Sequence, residues 1–350
     1  MDQAKFMTDA ALGGTDLDCF TYHGGNLGAA RRLAPHAPEP WIDLSTGINP
    51  HAYPIPELSR EAWTRLPDGE SVAMLEAAAA RRYDAADAQS VIAAPGTQLL
   101  IQLMARLFSP ARVGILGDAY SGHERAWRAA GARFESVATL RKLAGLDIGV
   151  IVNPNNPDGR LVGRAELIAS HGALAARGGM MIVDEAFVDL AESGASLAPA
   201  LPASGAIALR SFGKTYGLAG LRLGFAIASP DLSGVLRSAL GQWPVSGPAI
   251  AIGAAALGDS AWLDRMRPML AGEARRLDGL LAAAGGHVLG GTSLFRLVEH
   301  PAGPGLFERL LRRGILARPF AGRPSLLRFG LPGGPEQWDR LERALADFRG

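Results

Sequence analysis

The chain has 350 residues, 35 lysines and arginines against 34 aspartates and glutamates, and a formal net charge of +1. That length predicts one large domain with a smaller companion, and the balanced charge gives no electrostatic case for a nucleic-acid partner. A single cysteine, Cys19, excludes an intrachain disulfide and a cysteine-based zinc site, and no window reaches the apolar length of a membrane span.

The N-terminal stretch "MDQAKFMTDAALGGTDLDCF" carries acids where a secretory signal needs a basic segment and an apolar core, so a reducing cytoplasm is the expected compartment. Residues 1–70 are rich in glycine, proline and histidine with little periodicity, and they read as an arm and loops. From about residue 71 helix and strand alternate. "SVAMLEAAAARRY" and "GTQLLIQLMARLF" have helical spacing, and short apolar runs follow in "RVGILGD", "DIGVIVNP", "GGMMIVDEA", "GAIALRSF" and "LRLGFAIAS". Continuous apolar strands separated by helices predict an α/β fold, with a mainly parallel sheet covered by helices on both faces. Beyond residue 240, "SAWLDRMRPMLAGEARRLDGLLAAAGG" reads as a long helix, followed by "TSLFRLVEH", "GILARPF" and "SLLRFGLP", a smaller α+β domain. The expected division is therefore an arm with part of the small domain (1–70), a large domain (71–240) and a C-terminal small domain (241–350).

In such sheets ligands bind beyond the carboxyl ends of the strands, so the residues just after each apolar run carry the functional reading. In "APGTQ" a glycine turn leads into a helix whose free N–H groups, with Thr97, favour an anion; a glycine-threonine pair also simply starts helices. Tyr120 in "GDAYSG" is either a ring for stacking or part of the core. Asn156 in "NPNNPDG" is either a donor to a ligand oxygen or ordinary turn chemistry. Asp184 in "DEAF" is either a structural buried carboxylate or the partner of a cation. Lys214 in "SFGKTYGLAGLRLG" alone reads as a solvated charge, but Ser211 three residues before it and Arg222 eight after both suit a phosphate. An amine, a carboxylate, a flat ring and a phosphate cradle are what pyridoxal 5'-phosphate requires.

The order and spacing of "NPNNPDG", "DEAF" and "SFGKTYGLAGLRLG" resemble the aspartate-aminotransferase-like superfamily of pyridoxal-phosphate enzymes, fold type I, from about residue 20 to the end of the chain. The resemblance implies that Lys214 forms the Schiff base with the cofactor and Asp184 faces its pyridine nitrogen. Tyr120 would stack on the ring and Asn156 contact its phenolic oxygen. Gly96, Thr97, Gln98, Ser211 and Arg222 complete the cofactor-binding set, and the catalytic residues it implies are Lys214, Asp184 and Tyr120. Arg328 in "LLRFGLP" looks like the family's arginine for a substrate α-carboxylate. A homodimer is implied as well, because active sites of this family lie at the subunit interface.

The stretch "YHGGNLGAARRLAPHAPEPWIDLSTGINPHAYP" resembles the start of the L-threonine-O-3-phosphate decarboxylases of cobalamin biosynthesis, which share "HGGN" and "S-x-x-INP" elements. The histidinol-phosphate aminotransferases look less similar there. An imidazole, flexible N–H groups and an amide suit a phosphate ester, while a glycine turn capped by asparagine is the plainer reading. The resemblance assigns a small phosphorylated amino acid to His23, Gly24, Gly25, Asn26, Gly47, Asn156, Arg318 and Arg328. Phe187 agrees with the decarboxylases, since many aminotransferases carry tyrosine there. One departure is Leu66 in "TRLPDGE", where relatives commonly have a tyrosine that reaches the neighbouring subunit's cofactor phosphate; Tyr53 or another group would have to replace it. The implied reaction is decarboxylation to aminopropanol phosphate. Its rivals are transamination by the same residues and a non-catalytic protein that retains the fold.

Overall fold

The computed structural model describes residues 19–21, 23–191, 194–201 and 203–346. Residues 1–18 of the stretch read for a secretory signal lie outside them. Among the described residues no helix is long and apolar enough to cross a membrane.

The chain divides into two compact units. The larger, Ile48–Leu277 with Gly290–Arg296, is built on a seven-stranded sheet. Its strands are β1 (Val91–Ala94), β2 (Arg112–Leu116), β3 (Arg133–Val137), β4 (Ile148–Val152), β5 (Met180–Asp184), β6 (Ala206–Ser211) and β7 (Gly224–Ala228), in the order β1-β7-β6-β5-β4-β2-β3. The pairs from β6 to β3 are parallel, and only β7 runs against its two neighbours. Every residue of β4 is buried, as a strand covered on both faces requires. Successive residues alternate between two cores. Ile151, Met181, Val183 and Ala208 pack in one with Leu75 and Trp262, while Val150, Val152, Ile182 and Leu209 pack in the other with Leu100 and Trp127. The expected α/β architecture with a mainly parallel sheet is the one observed.

The smaller unit comprises the described residues up to Gly47, Asp278–Leu289 and the described residues from Leu297 onward. Its sheet has strands β8 (His287–Thr292), β9 (Phe295–Glu299), β10 (Arg318–Pro319) and β11 (Leu326–Gly330), in the order β10-β11-β9-β8. Ile42–Asp43 runs parallel to Ile315–Leu316 beside the Gly303–Arg312 helix, and Phe20 meets Phe307 edge to face at 5.6 Å.

These boundaries differ from the expected 70 and 240. Residues 48–70 belong to the larger unit, where Tyr53 donates its N–H to the Tyr216 carbonyl at 2.8 Å. Residues 241–277 belong there too: the Gly247–Gly258 helix packs on the Gly69–Arg82 helix so closely that a Cβ on Gly253 would stand 3.0 Å from Leu75. The β8–β9 turn joins the larger unit where Gly159 lies against Gly291.

Candidate active site

In the larger unit, β1, β2, β4, β5 and β6 all end on the same edge of the sheet, and the residues singled out from the sequence gather there. Gly224, which opens β7, pairs with Ala94 at the end of β1 and with Ser211 at the end of β6. The Gly96–Thr97 turn and Ser211 are thus brought to either side of one strand. The Thr97–Leu107 helix begins at Gly96, φ +83°, with no side-chain cap, so its leading N–H groups point out with the positive end of the helix dipole. Arg222, itself in the left-handed region at φ 55°, lays its guanidinium over Gly96, where a Cβ would come within 2.9 Å of Nη2. Gly224 is equally close to the turn, since a Cβ there would stand 2.7 Å from the Thr97 N–H. Ser211 heads the Phe212–Thr215 helix without capping it through its hydroxyl. Uncapped N–H groups, two hydroxyls and a guanidinium can together hold a phosphate.

Tyr120 starts the Ser121–Ala129 helix and folds its ring over Gly122, where a Cβ would be 2.3 Å from the ring. Its hydroxyl donates to Gln98 Oε1 at 2.8 Å, tying the flat ring to the Thr97 helix. Asp184 closes β5 and is buried. One carboxylate oxygen lies 3.0 Å from Nε2 of His123, and the other accepts the Ala186 N–H at 3.2 Å. His123 is the residue that sequence reading missed. It lies three positions after Tyr120, one turn along the helix, and it is fully buried, so that only Asp184, 61 residues away in sequence, gives it meaning.

Lys214 lies in the Phe212–Thr215 helix, with Nζ 5.7 Å from the centre of the Phe187 ring. Phe187 is buried and meets Phe295 edge to face at 5.0 Å, so it offers the lysine an apolar wall. In the turn after β4, Asn153 and Asn155 do the turn chemistry: Asn153 bridges to Val162 and Ala195, and Asn155 to Asp118 and Asp158. Asn156, half-buried, follows them. Below the edge, Arg210 pairs with Glu185 and Asp189, with all three side chains buried. Burial pushes the Glu185 carboxyl up, against the pull of Arg210.

The smaller unit gathers the remaining residues around Ser45. Gly24 passes so near the Ser45 carbonyl that a Cβ would be 2.3 Å from it, and the Gly25 N–H donates to Ser45 Oγ at 2.7 Å. Asn26 caps the Leu27–Leu33 helix, with Oδ1 accepting from Ala29 at 3.2 Å, so the plainer reading of "HGGN" as a capped glycine turn holds for this side chain. His23 is exposed, its Nδ1 2.9 Å from the Gly24 carbonyl oxygen. Arg318 and Arg328 are register partners on β10 and β11, and both are buried. Arg328 Nη2 donates to the Ser45 carbonyl at 2.8 Å. Two buried guanidiniums on paired strands favour an anion. Gly47, also buried, closes this unit. Tyr53, named as a replacement for the tyrosine absent at Leu66, lies in the larger unit. Its hydroxyl is directed at Asp259, 3.5 Å away, and its ring lies edge-on to Tyr216 and Trp262.

The donor set fits pyridoxal phosphate: a lysine, a buried carboxylate to face a pyridinium, a flat ring held beside the cradle, and an arginine over an uncapped helix start whose glycine leaves no room for a Cβ. The chain belongs to the aminotransferase class I and II family, whose model matches residues 39–345. Threonine-phosphate decarboxylase of Pseudomonas aeruginosa is 41% identical over 330 residues, 93% of this chain and 98% of that protein. Histidinol-phosphate aminotransferase of an Anaeromyxobacter species is 33% identical over 77% of this chain and 80% of its own length. Among solved structures, the histidinol-phosphate aminotransferase of Sinorhizobium meliloti in complex with pyridoxal-5'-phosphate superposes with a TM-score of 0.79 at 20% identity, covering 93% of this chain and 95% of that one.

Proposed function

We propose that the chain is a pyridoxal-phosphate-dependent lyase that decarboxylates L-threonine O-3-phosphate to (R)-1-amino-2-propanol O-2-phosphate, the aminopropanol unit used in cobalamin biosynthesis. The observation that carries this reading is the likeness to the Pseudomonas decarboxylase, which extends over 93% of the chain.

Bound pyridoxal phosphate supplies an electron sink for the bond that breaks at the substrate's Cα. The chain's own residues do the rest. Lys214 would provide the amine that holds the cofactor, and Lys214 or a water would afterwards deliver a proton to Cα. Asp184, held by His123, keeps the pyridine nitrogen protonated by charge pairing. Gly96, Thr97, Gln98, Ser211 and Arg222 hold the cofactor phosphate side, Tyr120 covers the ring and Asn156 meets its phenolic oxygen. Arg328 takes the α-carboxylate, and Arg318, His23, Gly24, Gly25, Gly47 and the backbone of Asn26, whose side chain caps a helix, serve the substrate's anionic ends. Which Cα bond breaks depends on how these two anionic ends are held. Phe187 has no hydroxyl to offer the phenolic oxygen, in keeping with the decarboxylase reading.

The enzyme acts as a cytoplasmic homodimer in this reading. Trp63 and Leu66, each 68% exposed, and Trp243, 54% exposed, lie on the larger unit with Ile55 and Met74, large apolar side chains of the kind that a second copy covers.

Incubation with threonine phosphate tests the reaction. Carbon dioxide and aminopropanol phosphate are expected without any 2-oxoglutarate. Conversion of histidinol phosphate that consumes 2-oxoglutarate, with no carbon dioxide from threonine phosphate, would overturn it in favour of the aminotransferase.

A further inference from the structure

The helix that carries Lys214 has four residues, too few to hold itself by its own hydrogen bonds. Its carboxyl end leaves backbone carbonyls that need outside donors. These donors come from one segment far away in sequence. The Lys214 carbonyl accepts the Asn49 N–H at 3.0 Å, and the Tyr216 carbonyl accepts the Tyr53 N–H at 2.8 Å. Between them the Thr215 carbonyl accepts from a side chain, Nδ2 of Asn49, at 2.9 Å.

Asn49 is 2% exposed and its amide works at both ends, since Oδ1 accepts the His51 N–H at 2.9 Å. The His51 ring in turn places Nε2 2.9 and 3.0 Å from the two oxygens of Glu273 on the Ser260–Ala283 helix. The Asn49 carbonyl crosses Gly217, φ +67°, so closely that a Cβ there would be 2.6 Å away. From another side the Thr215 hydroxyl donates to Asp189 at 3.1 Å, and Asp189 is itself fixed by Arg210.

We propose that Asn49 is a positioning residue for Lys214, one that sets the direction in which the amine leaves the backbone by fixing the peptide planes on either side of Thr215. The proposal rests on the reading of Lys214 as the cofactor-bearing lysine. An extended lysine reaches about 6 Å from its Cα, so a tilt of about 10° at the root moves the amine by about 1 Å, a misplacement that costs up to about 10²-fold in rate. The backbone bonds of the segment survive any change of side chain. The Asn49 amide is therefore the part of this clamp that a single substitution can remove.

The test compares the cofactor-loaded wild type with Asn49→Asp, which keeps the shape and loses the donor to Thr215, and with Asn49→Ala. Borohydride reduction and peptide mapping first establish whether the wild type carries the cofactor on Lys214. If it does not, the functional reading fails, and this proposal with it. With Lys214 labelled, both variants are expected to lose about 10- to 100-fold in kcat, with KM for threonine phosphate within about twofold of wild type. Amide exchange should rise in the peptide spanning residues 212–218 and stay at wild-type levels in β4 and β5. An unchanged kcat overturns the proposal, as does a lower kcat with unchanged exchange at 212–218, or a rise in exchange spread over the whole sheet. Should Asn49→Ala fail to fold, Asn49→Asp alone decides between these outcomes; if neither variant folds, the role of Asn49 is structural and the proposal is overturned.

Discussion

The two ends of the seven-stranded sheet carry polar side-chain pairs of nearly the same length in opposite surroundings. At the amino ends of β2 and β4, Arg112 and Asp147 meet at 2.9 Å, with 49% and 48% of their side chains exposed. At the carboxyl edge, His123 and Asp184 meet at 3.0 Å with 0% and 5% exposed. An exposed pair is screened and adds little to stability. A buried pair costs desolvation and then holds its charge in a fixed direction, which is useful only where that charge has work to do. The same strands thus present scaffold at one end and candidate chemistry at the other, and substitutions at the two ends should differ in kind as well as in size.

The largest effect is expected from Asp184→Asn, which preserves shape and removes the charge that faces the pyridine nitrogen. Steady-state kinetics should show kcat down by roughly 10²- to 10³-fold, the scale of losing one preorganised electrostatic partner. A kcat near wild type would assign this carboxylate to structure alone.

Gly96→Ala comes next. The position has φ +83° and a guanidinium 2.9 Å from the new methyl carbon, so the change strains the backbone and pushes Arg222 aside. A loss of about 1 to 3 kcal/mol in stability is expected by urea unfolding, with weaker pyridoxal phosphate binding in a fluorescence titration. Wild-type affinity in the variant would detach Arg222 from the phosphate cradle.

Asp147→Asn, at the far end, should leave kcat unchanged and cost less than about 1 kcal/mol once solvent screening is counted. Hydrogen bonds from the Arg112 side chain and then its backbone N–H hold the Asp147 carboxyl below its ordinary value of 3.8. A carboxyl lowered on folding stabilises the protein above its unfolded value, and that stability is lost as pH falls through the folded one. The difference between wild type and variant should therefore be full at pH 7 and close in strong acid. A gap that stayed constant with pH would assign the effect to something other than this ionisation.

How much of this was legible in the sequence follows from where each partner lies. The strand-end residues stand out because each follows a continuous apolar run, and a parallel sheet brings those ends to one edge whatever the loops do. β3 was not read as a strand, since only Phe134 and Val137 of its five residues are buried at the edge of the sheet, and its alternation is broken. His123 was hidden for a different reason. On its own helix it is one polar residue among several, and its partner belongs to another strand. The boundary at 47 rather than 70 was equally invisible, because residues 48–53 are held by backbone hydrogen bonds that any sequence could make and by the side chains of Asn49, His51 and Tyr53, whose partners lie at least 166 positions away.

The bond from Asn49 to Thr215 also joins residues 166 positions apart. Chains emerge from the ribosome at about 5 to 20 residues per second, so the clamp segment waits roughly ten to thirty seconds before the lysine helix it closes exists. Its docking surface is then one of the last parts of the sheet edge to be made. A chain extending only to residue 200 would contain β2 to β5, which pair with one another, but would lack β7, the partner of β1, and Thr215, the partner of Asn49, so the geometry of the lysine would be set as a late event of folding.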